Sequence, residues 1–349
     1  MRKNWEKSGK NLNAGYGIDI NKVQKGESKM CTCIELKNKD FYFGRNLDLE
    51  YRFGEKVVIT PRDYGFKLRS EPDFRTRYAM IGMAAVAGDY PLYAEAANEK
   101  GLCIAGLYFP GNASYNRPKE GRINIAPFEL IPWLLGNYGS VDEAEDDLSR
   151  INLTDISFSQ EMPLTDLHWM ISDRNRCLVL EQTKDGTEIY DNGFGVLTNN
   201  PPFPFHEANM SHFLNLTAAN PPLRDGVRPQ GQGFGAVGLP GDWSPASRFA
   251  KAYFCKANSV CGEDPVSSVT QFFHILDAVA MVRGSVVTSE GKCDITTYSC
   301  CIDTTRGAYY YKTYENSAVT CVRLSEENMN RAALTLFELD EKQRIIFYS

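Results

Sequence analysis

The chain has 349 residues, 43% hydrophobic and 23% charged, enough apolar material to fill one large core or two ordinary ones. Its formal net charge of −6 is spread without long runs of one sign, which argues against a nucleic-acid or anionic-membrane surface. No stretch reaches the roughly 18 apolar residues a membrane span needs, and ten cysteines are too sparse for a disulfide scaffold, so a cytoplasmic protein with reduced thiols is expected.

The first thirty residues are rich in Lys, Asn and Gly, lack apolar periodicity and read as disordered. Their basic beginning is not followed by an apolar h-region, so they are not a secretory signal. A leader over 1–30 and a single domain over 31–349 are expected. Gly26-Glu27 can be encoded by a purine run resembling a bacterial ribosome-binding sequence just before Met30. We therefore read 1–29 as upstream sequence translated in frame, with Met30 as initiator; a removed propeptide is the rival account.

From Cys31 the alternation predicts a strand "CTCIELK", a turn "NKD" and a partner strand "FYFGRNL", then a third strand "KVVITP". "PFELIPWLLGNY" has helical spacing broken by Gly136. "SVDEAEDDLSRI" starts a helix at Ser140, with Glu143 completing a capping box. "LHWMISD" and "CLVLEQT" read as paired strands, as do "TYSCCID" and "AYYYKTY"; between the two pairs, "SRFAKAYFCKA" and "SSVTQFFHILDAVAMV" read as helices. Strands, then helices, then strands again imply a layered α+β domain rather than a doubly wound sheet. The proline-rich 200–230 stretch is too long for a plain connector and is expected to be a functional or assembly loop.

Most chemical constellations fail. "GFGAVG" over 233–238 matches a nucleotide-loop spacing, but the prolines that follow it forbid the helix on which a phosphate would rest. The cysteines form no C-x-x-C pair, and His168, His206, His212 and His274 show no metal-binding spacing, so no metal is expected. Cys31 stands apart. If Met30 is removed, its thiol lies two bonds from a free α-amine. That amine, with a pKa near 8, can take the proton of a thiol whose pKa is near 8.5. Nucleophile and base then share one residue and no histidine is required, so alanine at each of the four histidines should leave activity. The bland alternative is a structural cysteine at a strand start. Arg45 and Asp48 in "GRNLDLEY" follow the hairpin. Arg45 would favour thiolate and Asp48 would hold the amine, or the two form a surface ion pair.

"MCTCIELKNKDFYFGRNLDLEY" resembles the N-terminus of the choloylglycine hydrolase family, the bile salt hydrolases and penicillin V acylases. Matching blocks continue through "AEAANEKGLCIAGLYFPG", "LHWMISD", "GVLTNNP", "GLPGDWSPASRF", "FFHILDAVAMVRG" and "YYYKTYEN", so the resemblance covers essentially 30–349. It implies the N-terminal-nucleophile hydrolase fold, a four-layer αββα stack with two antiparallel sheets between helical layers. It implies Cys31 as nucleophile, Arg45 and Asp48 as its supporting pair, Asn199 and the Tyr108 backbone N–H as oxyanion donors, and Arg248 completing the charged cluster. The two arginines are expected to keep the site electropositive and to meet an anionic substrate tail. Leu47 and Phe53 either line a steroid-accepting pocket or belong to the ordinary core. The implied reaction is hydrolysis of glycine- or taurine-conjugated bile acids by a cytoplasmic homotetramer, without metal or organic cofactor. Tyr108 departs from a common bile salt hydrolase pattern and matches that of penicillin V acylases. An acylase of penicillin V or of N-acyl amides such as acyl-homoserine lactones is therefore the alternative.

Overall fold

The computed structural model describes residues 30–348. The leader expected over 1–30 lies outside the described residues except for Met30. Alternating apolar and β-branched residues produce the strand Met30–Lys37, which turns at residues 38–40 and returns as Phe41–Leu49, with Cys33 opposite Arg45 and Met30 opposite Asp48. Both strands are buried almost throughout, because they lie inside a seven-stranded sheet that is covered on both faces. Val196–Leu197 flanks the pair on one side, and Cys293–Asp303, Ala308–Thr313 and Thr320–Arg323 extend it on the other.

A second, eight-stranded antiparallel sheet runs in the order Gly186–Asp191, Cys177–Thr183, Leu167–Ser172, Cys103–Tyr108, Tyr90–Asn98, Met80–Ala87, Lys56–Thr60 and Thr335–Phe337. Between the sheets lies one apolar core, to which Cys33, Val57, Met83, Cys103, Val179 and Cys300 belong. Helices Pro245–Ala257 and Pro265–Asp277 pack on the outside of the first sheet; Leu130–Asn137 and Val141–Ser149 pack on the outside of the second. The stack is therefore helix, sheet, sheet, helix, the αββα order that the family resemblance implied.

Local predictions hold with four corrections, the first being that the helix read over 267–282 ends at Asp277. Gly136 does not break its helix, which runs from Leu130 to Asn137. A Cβ there would stand 2.7 Å from the Phe74 ring, so the glycine serves close packing against that ring. Ser140 accepts from the Glu143 N–H as an N-cap, but the Glu143 carboxylate accepts from Gly139 rather than from Ser140, so the capping box is only half formed. The 200–230 stretch opens with a helix, Phe203–Asn209, and a short 3-10 turn, Met210–Phe213, before losing regular structure. "GFGAVG" forms only a three-residue 3-10 turn, Phe234–Ala236.

Candidate active site

Period two along Met30–Lys37 sends Cys31 toward the second sheet and Thr32 toward the helical layer. Cys31 forms part of the wall of an apolar cavity of about 290 Å³ that Leu47, Phe53, Tyr108, Phe128 and Phe158 also line. Leu47 and Phe53 are thus pocket residues, although Leu47 also joins the core. Tyr108 ends the strand Cys103–Tyr108, and its backbone N–H is hydrogen-bonded to the Cys31 sulfur.

Arg45 and Asp48 are three positions apart in one strand, so their side chains leave on opposite faces. They form no surface ion pair, since both are fully buried. Arg45 points between the sheets and donates to the carbonyls of Gly106 at 2.5 Å and Ala94 at 3.3 Å, with Glu95 Oε2 at 3.8 Å from its Nε. Asp48 points the other way, accepts from Thr296 Oγ1 at 2.6 Å and is attracted by Arg248.

Asn199 and Arg248 reach Cys31 from far along the chain. The Cys31 backbone N–H donates to Asn199 Oδ1 at 2.9 Å, and Arg248 Nη2 donates to the same oxygen at 2.7 Å. With its oxygen so fixed, the Asn199 amide can face only one way. Its Nδ2 donates one hydrogen to the Tyr108 carbonyl at 2.8 Å and keeps the second without an acceptor among the described residues. Arg248 also donates to the Cys31 carbonyl at 2.5 Å, Thr32 Oγ1 at 2.6 Å and the Trp243 carbonyl at 2.9 Å. A guanidinium committed in four directions and only 1% exposed is not available to meet an anionic substrate tail, so that expectation is corrected for Arg248. Arg45 lines the cavity and its Nη2 has no hydrogen-bond partner among the described residues.

Electrostatics correct a second expectation. Burial pushes the Cys31 thiol up, and the opposing pull of Arg45, the Tyr108 N–H and Arg248 does not overcome it. The resting sulfur is a thiol, so a base is required. Burial likewise raises Asp48 to about 6 despite Arg248 and Thr296. Asp294, beside it, is raised to about 8 by burial together with Asp48 and Glu50.

Several residues around the site escaped sequence reasoning. Glu95, fully buried behind Arg45, accepts from Tyr298 at 2.7 Å and Tyr309 at 2.6 Å across the inter-sheet space. Its signal was a lone acid in the otherwise apolar strand "YPLYAEAAN". His168 and His206 are buried against the carbonyls of Thr198 and Asn199, whereas His212 and His274 are exposed. Substitution at the two buried histidines is therefore not neutral by construction. Among the described residues, no group of three or more His, Cys, Asp or Glu could hold a metal ion, and no helix is long and apolar enough to cross a membrane.

Residues 31–341 match the model of the linear amide C–N hydrolases, choloylglycine hydrolase family. The chain is 43% identical over 314 residues to a bile salt hydrolase/transferase of Lactiplantibacillus plantarum, covering 89% of this chain and 97% of that protein. It is 41% identical over 310 residues to a bile salt hydrolase/transferase of Clostridium perfringens, covering 86% and 94%. A crystal structure of a variant of the conjugated bile acid hydrolase from Clostridium perfringens aligns with TM-score 0.85 at 38% identity, covering 91% of this chain and 100% of that one. Penicillin V acylase from Agrobacterium tumefaciens, at TM-score 0.69 and 18% identity, over 88% of this chain and 90% of its own, shares the fold. Matched along most of its length in both sequence and architecture, this chain belongs to the choloylglycine hydrolase family of linear amide C–N hydrolases.

Proposed function

We propose that the protein hydrolyses the amide bond of glycine- or taurine-conjugated bile acids, with Cys31 as nucleophile once Met30 is removed and residue 31 begins the working chain. The observation that carries this reading is a buried thiol in the wall of an apolar cavity, with the Tyr108 N–H at its sulfur and the Asn199 amide bonded both to the Cys31 nitrogen and to the Tyr108 carbonyl. Relatives with bile salt hydrolase names over most of the chain support the substrate class. Each methylene taken from water contributes about 0.8 kcal/mol, so walls such as Leu47, Phe53, Phe128 and Phe158 suit a steroid body.

The freed α-amine takes the Cys31 thiol proton, because burial and the buried thiol's raised affinity for its proton leave no thiolate without a base. Sulfur attacks the amide carbonyl carbon, and its oxygen becomes an oxyanion that Asn199 Nδ2 and the Tyr108 N–H stabilise. Collapse breaks the C–N bond, the α-ammonium protonates the leaving glycine or taurine nitrogen, and a thioester remains. Water then gives a proton to the same amine as its oxygen attacks. Breaking the C–S bond releases the bile acid and the proton returns to sulfur. Asn199 Oδ1, which accepts from the Cys31 nitrogen at 2.9 Å, holds the amine with the nearby Asp48 carboxylate, and Arg248 keeps the Asn199 amide turned the right way.

A second reading, an acylase of penicillin V or of acyl-homoserine lactones, is favoured by Tyr108, whose side chain lines the cavity. Product assays on glycocholate, taurocholate and penicillin V in parallel decide between them. Free cholate is expected, and none from either conjugate overturns the first reading. N-terminal sequencing of the active enzyme tests the start, because a blocked amine at Cys31 cannot serve as base. All ten cysteines are free, which suits the expected reducing cytoplasm. Exposed Phe205, Leu214, Leu223, Phe234 and Val237 support an assembly role for the segment after residue 200, read as a homotetramer contact that light scattering of the native protein checks.

A further inference from the structure

We propose that His168, with its partner Glu181, and His206 are positioning residues that hold the two arms of the oxyanion site in register. The inference rests on the catalytic reading of Asn199 and Tyr108 given above. One arm is the strand end at Tyr108 and the residues after it; the other is the segment Thr198–Asn200. They are already tied by side chains, Asn199 Nδ2 to the Tyr108 carbonyl and Asn200 Nδ2 to the Pro110 carbonyl at 2.7 Å.

His168 sits at the joint between them. Its strand pairs directly with the one ending at Tyr108, and its ring stacks on Phe109 at 4.3 Å with only 5° between the planes. Its Nε2 meets the Thr198 carbonyl at 3.0 Å and its Nδ1 meets Glu181 Oε1 at 2.9 Å. A carbonyl oxygen can only accept, so Nε2 donates. The Glu181 carboxyl holds the ring by its other nitrogen, so both ring nitrogens are engaged. The same Glu181 oxygen accepts from the Phe203 N–H at 3.0 Å, which anchors the chain just beyond the second arm.

His206 takes the next carbonyl. Its Nε2 donates to the Asn199 oxygen at 2.9 Å, while its ring stacks on Phe249 at 4.9 Å and 13°. Nδ1 is buried without a partner among the described residues, as suits a neutral ring whose second nitrogen bears only a lone pair. Burial, with His168 and Arg248 nearby, lowers its pKa to about 4. Two consecutive carbonyls, those of Thr198 and Asn199, are therefore each clamped by a buried imidazole. The backbone that carries the Asn199 amide can neither rotate nor slide without breaking one of them.

The test separates oxyanion placement from general damage. Alkylation of Cys31 by iodoacetamide passes through no oxyanion, whereas amide cleavage does. His206→Phe keeps the stack and loses the donor; His206→Gln can restore an amide N–H to the Asn199 carbonyl. For glycocholate, His206→Phe should lower kcat about tenfold, less than the ~10²–10³-fold that losing an oxyanion donor costs. KM should stay within about twofold, Cys31 alkylation should fall by clearly less than turnover, and His206→Gln should recover most of the loss. Glu181→Gln, equal in volume, cannot serve both His168 Nδ1 and the Phe203 N–H through one atom as Oε1 does, and should show the same split if His206→Phe does not fold.

Unchanged kcat in both His206→Phe and Glu181→Gln overturns the proposal. So does a parallel fall in alkylation and turnover, or a His206→Gln variant no better than His206→Phe. Each variant is also assayed on penicillin V. Cleavage of penicillin V but not glycocholate by the unsubstituted enzyme refutes the bile acid reading and leaves the positioning test intact. Cleavage of neither amide overturns both.

Discussion

The cavity has two walls built on different terms. On the polar side Cys31 and Arg45 line the cavity, with Asn199, Arg248 and Asp48 behind them; all five are at most 3% exposed, and Asn199 and Arg248 are each held by several named partners. On the apolar side, Phe53, Phe128, Phe158 and Met162 are partly exposed, and Phe158 and Met162 come from the irregular stretch 155–166. Their rings meet edge to face, Phe128 on Phe158 at 5.2 Å, without hydrogen bonds to fix them. Amide cleavage needs donors placed to fractions of an ångström, which demands over-determined surroundings. Holding a steroid needs area and shape, which are less exacting.

Substitutions on the two walls should therefore differ in kind. Cys31→Ser should lower kcat by roughly 10³-fold or more, measured as cholate release, because an alcohol is a far weaker nucleophile for the same base. Asn199→Ala should lower kcat by about 10²–10³-fold with little change in KM, as expected for a donor used only in the transition state. A large KM effect with intact kcat would place Asn199 on the binding side of the comparison instead.

Asp48→Asn should separate activity from stability. The Asp48 pKa is raised from the ordinary carboxylate range to about 6, so the folded state holds a proton that the unfolded state has released. Its contribution to stability is full below the unfolded pKa near 4 and is lost as pH rises through about 6. At pH 7.5 the Asp48→Asn variant, neutral at this position, should gain on the order of 2 kcal/mol in urea unfolding while kcat falls at least tenfold. Equal stability of the two proteins above pH 6 would refute the sign. The smallest effect belongs to the apolar wall, where Phe158→Ala should raise KM several-fold, about 1 kcal/mol, and leave kcat within about twofold.

Much of this was readable locally. The strand pair from Cys31, the Ser140 cap and the paired strands at 167–183 and 297–313 follow from patterns spanning a few residues. The opposite facing of Arg45 and Asp48 was also legible in their odd spacing. What misled was treating neighbours in sequence as neighbours in space. Gly136 misled similarly, since a helix breaker and a packing glycine look alike until the Phe74 ring appears. His168 and His206 lacked any motif because their partners are backbone carbonyls, which every sequence possesses.

The amino-acid order by itself determined the strands and helices, their alternation and the identity of the residue able to join thiol and amine. Only the tertiary structure decided that Asn199 and Arg248, 168 and 217 positions away, converge on Cys31. It also decided that Arg248 is consumed in orienting an amide, and that burial rather than the arginines sets the charge on the sulfur. Local periodicity acts over a few bonds, whereas desolvation and hydrogen-bond convergence depend on everything packed around an atom, however distant along the chain.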